Sequence, residues 1–321
     1  MLIAREHAEL APIDFSSGSV VTIGNFDGVH RGHQRLISRI TQRAQAAGHK
    51  SVVVTFCPHP LRVLVGPHTP PLITVREEKL DVLESLDLDL TLMLNFTKEL
   101  AALEPRDFVK TYLVDWLTTR HLVVGYDYSF GKGRKGNFAL LSELGQEFGF
   151  TCEQLNAVIL DDAIVSSTRI RDLIKAGRVW DALNLLGRFF VIRGTVIHGK
   201  NRGGRLLGFP TANLKIENEV APKTGVYAVW AQINGTAYPA VANIGRNPTF
   251  GDVEEPSVEV HILDFDQDLY GVELRAHFVQ RLRDEKKFSG PEELVARIKE
   301  DVALGRQILA SPEAALDVQP S

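Results

Sequence analysis

The chain has 321 residues, 44% of them hydrophobic and 24% charged, which excludes a disordered or fibrous polymer and, at roughly 100 to 200 residues per domain, favours two domains. A formal charge of -4 leaves no basic excess to neutralise a nucleic-acid backbone, so nucleic acid is not an expected partner. No apolar run nears the roughly 20 residues of a membrane helix, and Cys57 and Cys152 have neither disulfide-framework nor metal-site spacing, so the expectation is a protein of the cytoplasm with no membrane partner.

The opening MLIAREHAEL places Arg5, Glu6 and Glu9 where a signal peptide needs an unbroken apolar stretch. From residue 19, short β-branched runs alternate with helical spacing. SVVTIG (19–24) leads to a helix over 33–47, SVVVTF (51–56) to a helix over 76–86, and LDLTLML (88–94) to a helix opening at Pro105. HLVVGY (121–126) then precedes a helix over 138–148. This βαβ rhythm predicts an α/β, Rossmann-like domain on a mostly parallel sheet. Ile170, Leu173 and Ile174, then Val179, Leu183 and Leu186, carry helical spacing that Gly187 is suited to stop. The seam is placed there, giving domains 1–187 and 188–321.

Beyond the seam, FVIRGTVIHG (190–199), GVYAVWAQI (225–233), TAYPAVANIG (236–245), SVEVHILDF (257–265) and ELRAHFVQRL (273–282) are strands separated by turns. They predict a small antiparallel β-barrel. Asn234-Gly235 accepts the positive φ angles of a two-residue hairpin turn. Apolar Leu294, Ile298, Val302 and Leu304 predict a terminal amphipathic helix over 291–309.

GNFDGVHRGH (24–33) follows a predicted strand and opens a predicted helix, where parallel α/β folds place their ligands. Gly24, Gly28 and Gly32 permit close backbone approach, and the new helix offers free N–H groups to an anion. His30 and His33 can face one triphosphate; the plainer alternative makes one a cap and the other ordinary surface. Their spacing also allows zinc, but no further ligand completes such a site.

The motif resembles the HxGH signature of the nucleotidylyltransferase superfamily, and VSSTRIR (165–171) resembles its second signature. The resemblance implies that His30 and His33 stabilise the α-phosphate transition state beside Gly24, Phe26, Asp27 and Gly28. It also implies that Ser166, Ser167, Thr168, Arg169 and Arg171 hold nucleotide phosphates, a role compatible with simple helix capping. TFCPHP (55–60) and GYDYSFGKGRKGN (125–137) resemble the FMN adenylyltransferase branch, which implies flavin contacts at Phe56, Pro58, His59 and Asp127.

Residues 131–136 also match GxGxxG, but late in the domain and crowded with Lys and Arg, which reads as a mobile basic loop over phosphates rather than a dinucleotide loop. Asp264, Asp266 and Asp268 imitate a calcium loop, yet its sixth and twelfth positions are Leu269 and Arg275, so turn residues are expected.

GRLLGFPTANL (204–214) contains no P-loop; with NIGRNPTF (243–250) and SVEVHILDF it resembles riboflavin kinase, a six-stranded barrel. That resemblance implies ATP contacts at Gly208, Pro210, Thr211 and Asn213, with Thr211 and Asn213 meeting Mg²⁺, and Glu259 as the base. The alternatives are a Pro-favoured turn for Thr211 and Asn213, and an outward strand residue for Glu259. Taken whole, the chain resembles the bifunctional FAD synthetases of prokaryotes. Riboflavin, FMN and ATP would be substrates, with FMN and FAD as products. Residues 199–204 run longer than the family's usual spacing, which motivates one rival, an FMN adenylyltransferase whose barrel binds flavin without phosphorylating it. A second rival is a flavin sensor or carrier that turns nothing over.

Overall fold

A computed structural model describes residues 1–199, 208–248 and 254–316. Its contacts group Met1–Pro71 with Arg76–Ser166 as one unit, and Leu72–Val75 with Ser167–Ser321 as a second.

In the first unit, β-branched runs become β1 (Leu2–Ala4), β2 (Ser19–Ile23), β3 (Lys50–Cys57), β4 (Leu90–Asn95), β5 (Thr119–Gly125) and β6 (Thr151–Leu155). They form one sheet in the order β1-β4-β3-β2-β5-β6, every pair parallel. The connecting helices are α1 (Arg31–Ala47), α2 (Pro60–Leu64), α3 (Arg76–Glu84), α4 (Lys98–Ala101), α5 (Pro105–Phe108) and α6 (Phe138–Phe148), and α5 runs on through Val109–Trp116 in π geometry. Because side chains alternate along a strand, Val20, Val53 and Val123 share a face covered by Ile37, Ile40 and Ala44 of α1 and Leu83 of α3. Val21, Val52, Val54, Leu122 and Val124 point the other way, under Leu113, Leu117, Leu141 and Leu144. Both faces are therefore buried, which is why these strands read as unbroken apolar runs. Each such side chain stabilises the fold by about 1.5–3 kcal/mol. β2 lies between β3 and β5, so the winding reverses there and the C-terminal strand ends open a crevice. A short hairpin of β7 (Ile159–Leu160) and β8 (Ala163–Ile164) closes this unit.

The second unit begins with α7 (Ser167–Lys175) and α8 (Val179–Leu186). Its barrel comprises β9 (Phe190–Ile197), β10 (Ala212–Ile216), β11 (Gly225–Ile233), β12 (Thr236–Pro248), β13 (Glu254–Ile262) and β14 (Glu273–Arg283). It closes in the order β10-β13-β12-β11-β14-β9, with antiparallel pairing throughout. Phe190, Tyr227 and Phe278 are fully buried, with Phe278 edge-on to Tyr227. The expected hairpin is present, with φ of 47° at Asn234 and 80° at Gly235. α9 (Pro291–Leu309) packs on β11, β12 and β14, and Gly305 permits that approach: a Cβ there would stand 3.0 Å from Val241 Cγ2.

Five strands are additions to the sequence reading, the short β7–β8 hairpin among them. β1 and β6 extend the parallel sheet at its two edges, and β10 is the sixth barrel strand. It runs through Asn213, where a turn was the alternative.

Candidate functional site

The first unit gathers its candidate residues at the C-terminal edge of the sheet. After β2 the chain turns sharply, with left-handed φ at Phe26 (51°), Gly28 (80°) and Val29 (38°). It then straightens at His30, the N-cap of α1, whose side chain accepts a hydrogen bond from the His33 N–H at 3.4 Å. The His30 and His33 rings stack at 3.7 Å and 14°, and Phe26 meets His33 edge-on at 5.1 Å. Gly32 makes the stack possible, since a Cβ there would lie 3.1 Å from His30 Cε1 and Nδ1. Capping and pairing are thus one arrangement, not alternatives.

His33 keeps an exposed edge, but its Nδ1 is buried and has no hydrogen-bond partner. Burial, then the neighbouring His30, then the Lys79 ammonium hold its pKa well below the usual 6.5. His33 consequently presents neutral imidazole at neutral pH, able to donate a hydrogen bond to a phosphate oxygen without adding a second cation beside Lys79.

β3 ends beside this turn and carries Phe56, which is edge-on to Phe96 at 5.4 Å, then a cis Cys57–Pro58 bond and His59. His59 caps α2, its Nδ1 accepting from the Leu61 N–H at 3.2 Å. Asp127, exposed just past β5, has its Oδ1 beside Gly125. The Val165 carbonyl lies 3.8 Å from a Cβ built at Gly32, which brings neighbouring Ser166 to the same turn. Ser167, Thr168, Arg169 and Arg171 open α7, a helix start as the motif implies, and are grouped with the second unit. The basic loop at 131–136 is held to the α4–α5 connection. Lys132 N–H donates to the Leu103 carbonyl and its ammonium pairs with Glu104, both at 3.0 Å, while Arg134 donates to Ser129 Oγ at 2.7 Å.

The second unit contains a cavity of about 710 Å³ whose wall includes β10, β13 and β12. Glu259 of β13 stands opposite Asn213 of β10 on one side and Asn243 of β12 on the other, and all three line the cavity. Residues so opposed have Cβ atoms about 5 Å apart, within reach of an amide-to-carboxylate hydrogen bond. Val258 and Val260 alternate with Glu259 and are buried, so the strand-residue alternative is true in direction: the face that Glu259 occupies is the cavity wall. Thr211 lines the same wall. Gly199 leaves room for Asn213, because a Cβ there would fall 2.4 Å from its Nδ2. His261 Nδ1–H donates to the Pro210 carbonyl at 2.8 Å and its ring is edge-on to Phe209, fixing the segment before Thr211. Gly208 precedes that segment with φ of 81°. Across the cavity, Arg283 grips Asp301 of α9 through Nε at 2.9 and 3.0 Å and Nη2 at 2.7 Å. Residues 200–207, with most of the lengthened 199–204 segment, lie outside the described residues, as do 249 and 250 of NIGRNPTF.

Thr211 and Asn213 offer hard oxygen donors next to a carboxylate, a set that suits Mg²⁺ shared with substrate phosphates. Asp264 instead pairs with Arg306 and Asp268 accepts from the Tyr270 N–H, as turn residues do. Among the described residues, no group of three His, Cys, Asp or Glu side chains could hold a metal ion by itself, and no helix is long and apolar enough to cross a membrane. Sequence reasoning missed Asn243, His261 and Lys79. Lys79 left one signal: with Leu83 and Leu86 at i+4 and i+7 it falls on the apolar face of its helix.

A family model described as FAD synthetase matches residues 13–169, and one described as riboflavin kinase matches residues 186–309. A bifunctional riboflavin kinase/FMN adenylyltransferase of Pseudomonas fluorescens is 43% identical over 92% of this chain and 94% of its own length. The protein of that name from Bacillus subtilis (strain 168) is 40% identical over 88% and 90%. A solved structure from Streptococcus pneumoniae, described as a macrolide-efflux protein, shares the fold with TM-score 0.84 and 34% identity, covering 95% of this chain and 98% of that one.

Proposed function

The chain belongs to the bifunctional riboflavin kinase/FMN adenylyltransferase family, and from that premise we propose which of its residues carry the two reactions. The protein phosphorylates riboflavin to FMN through its C-terminal part and adenylylates FMN to FAD through its N-terminal part. The functional boundary falls near residue 187, a reading supported by family matches that end at 169 and resume at 186.

For the kinase step, Glu259 accepts the proton of the terminal ribityl hydroxyl as that oxygen attacks the γ-phosphorus of ATP. Thr211 and Asn213 hold Mg²⁺, which when bound neutralises charge on the phosphates. Gly208 and Pro210 shape the nucleotide side of the cavity. The observation that carries this reading is the register placing Glu259 between two amides on the cavity wall. An inactive flavin-binding barrel has no use for such a carboxylate, which argues against that rival.

For the adenylyl step, the FMN phosphate attacks the α-phosphorus of ATP and pyrophosphate leaves. His30 and His33 donate to the phosphate oxygens as charge develops, and the turn of Gly24, Phe26, Asp27 and Gly28 with the N-terminus of α1 receives the triphosphate. Ser166, Ser167, Thr168, Arg169 and Arg171 bind the remaining phosphates, and Phe56, Pro58, His59 and Asp127 receive the flavin.

Chromatographic product analysis tests the division, using protein supplied with ATP, Mg²⁺ and either riboflavin or FMN. Glu259→Gln is expected to stop FMN formation and spare FAD formation from FMN, and His33→Ala the reverse. Equal loss of both activities in either variant refutes the assignment.

A further inference from the structure

Lys79, on α3, is a buried cation that the reaction as assigned above does not use. Only 9% of its surface is exposed, and taking an ammonium out of water is costly unless something compensates. Its Nζ donates to the Asn25 carbonyl at 3.4 Å and to Thr55 Oγ1 at 3.3 Å, and Thr55 Oγ1 itself donates to the Asn25 carbonyl at 3.3 Å. These three groups join α3, the end of β3 and the turn that follows β2. α3 also packs directly on the Asp27–Val29 segment of that turn.

Burial lowers the pKa of Lys79; of the titratable groups that act on it, Cys57 from the end of β3 and Asp27 from the turn favour its charge. His33, from the start of α1, feels the ammonium in turn, together with His30. Two long hydrogen bonds to neutral oxygens are a weak return for burying a full charge, and a neutral donor of similar length would make them as well. The charge itself becomes useful where negative charge develops nearby, as it does on an α-phosphate under attack.

Resting on the assignment of adenylyl transfer to residues 24–33, we propose that Lys79 is a positioning residue for that step: its ammonium anchors the phosphate-binding turn from below and sets a fixed positive charge behind His33. Acting from beneath the turn, it disfavours protonation of His33 and adds a preorganised field at the reacting phosphate. It works through the turn and His33 and is not itself a phosphate ligand.

Lys79→Gln separates the two parts of the claim, because it retains a hydrogen-bond donor and removes the charge; Lys79→Met removes both, and Lys79→Arg keeps the charge. The measurement is the pH profile of kcat and KM for FAD formation from FMN, with FMN binding followed by flavin fluorescence and riboflavin phosphorylation assayed on the same preparations. In Lys79→Gln, kcat is expected to fall about tenfold to a hundredfold with KM little changed. Its acid limb should move to higher pH, since His33 without the neighbouring cation protonates sooner on acidification. Lys79→Arg should leave the limb where it is. An unmoved limb in a Lys79→Gln protein that binds FMN overturns the proposal, whatever happens to kcat. Should Lys79→Met not fold, Lys79→Gln and Lys79→Arg decide. His33→Ala keeps the two levels apart: full FAD formation by that variant sinks the adenylyl assignment, whereas its loss beside an unaltered Lys79→Gln sinks only the role of Lys79.

Discussion

Acid should weaken the barrel through one residue, His277 of β14. Its Nε2–H donates to Gln232 Oε1 at 3.1 Å, and burial first, then the charges of Arg275 and Arg188, lower its pKa from 6.5 to about 4. The unfolded chain binds this proton near pH 6.5 while the folded barrel refuses it until about 4. The contribution of His277 is therefore fully present above 6.5 and is lost as pH falls from 6.5 to 4. At about 1.4 kcal/mol per pH interval the loss reaches about 3 kcal/mol. One edge of the ring remains partly exposed, which makes this figure a ceiling. The chain has three tryptophans, of which Trp116 is in the first unit and Trp180 and Trp230 are in the second. A Trp116→Phe background thus lets fluorescence follow the second unit alone. Urea midpoints measured from pH 7.5 to 4 should fall steeply for this protein and shallowly after His277→Gln. Parallel decline in both proteins would refute the linkage.

Further outcomes follow from the second site. Asn243→Leu removes the amide beside Glu259 and should slow riboflavin phosphorylation about tenfold to a hundredfold, a charge-assisted hydrogen bond being worth about 1.5–3 kcal/mol; FAD formation from FMN serves as the unaffected control. Gly199→Ala drives a methyl group into Asn213, so FMN formation should drop while the urea midpoint of the barrel hardly moves, and an unchanged rate would show that Asn213 is not needed in place. Asp301→Asn takes a carboxylate that is 5% exposed away from half-buried Arg283 and should destabilise the second unit by about 1.5–3 kcal/mol in the same fluorescence assay.

The central strands and long helices were legible because burial on both faces of the sheet writes itself as continuous Val, Ile and Leu, and because α1 and α9 carry apolar stripes. β1, with three residues, is too short for a period to register, and β6 reads Thr-Cys-Glu-Gln-Leu because an edge strand half open to water needs no apolar run. β10 escaped for a different reason: its Asn213 and Lys215 face outward in a strand of only five residues. At the sites, the HxGH and PTAN motifs pointed to residues the fold does gather, the former on the turn after β2 and the latter on the wall beside Glu259. Asn243 and Lys79 stayed hidden because their roles depend on partners far off in the chain: a strand register in one case and the underside of a turn in the other.

The pairing of β12 and β13 has a consequence for how the protein can fail. A slip of one residue in either ladder would put Val258 or Val260 in the place of Glu259 opposite Asn213 or Asn243 and turn Glu259 toward the hydrocarbon interior, where an unpaired carboxylate is strongly disfavoured. The misaligned barrel would thus be both unstable and inert, so the thermodynamics that select the correct register also proofread the chemistry.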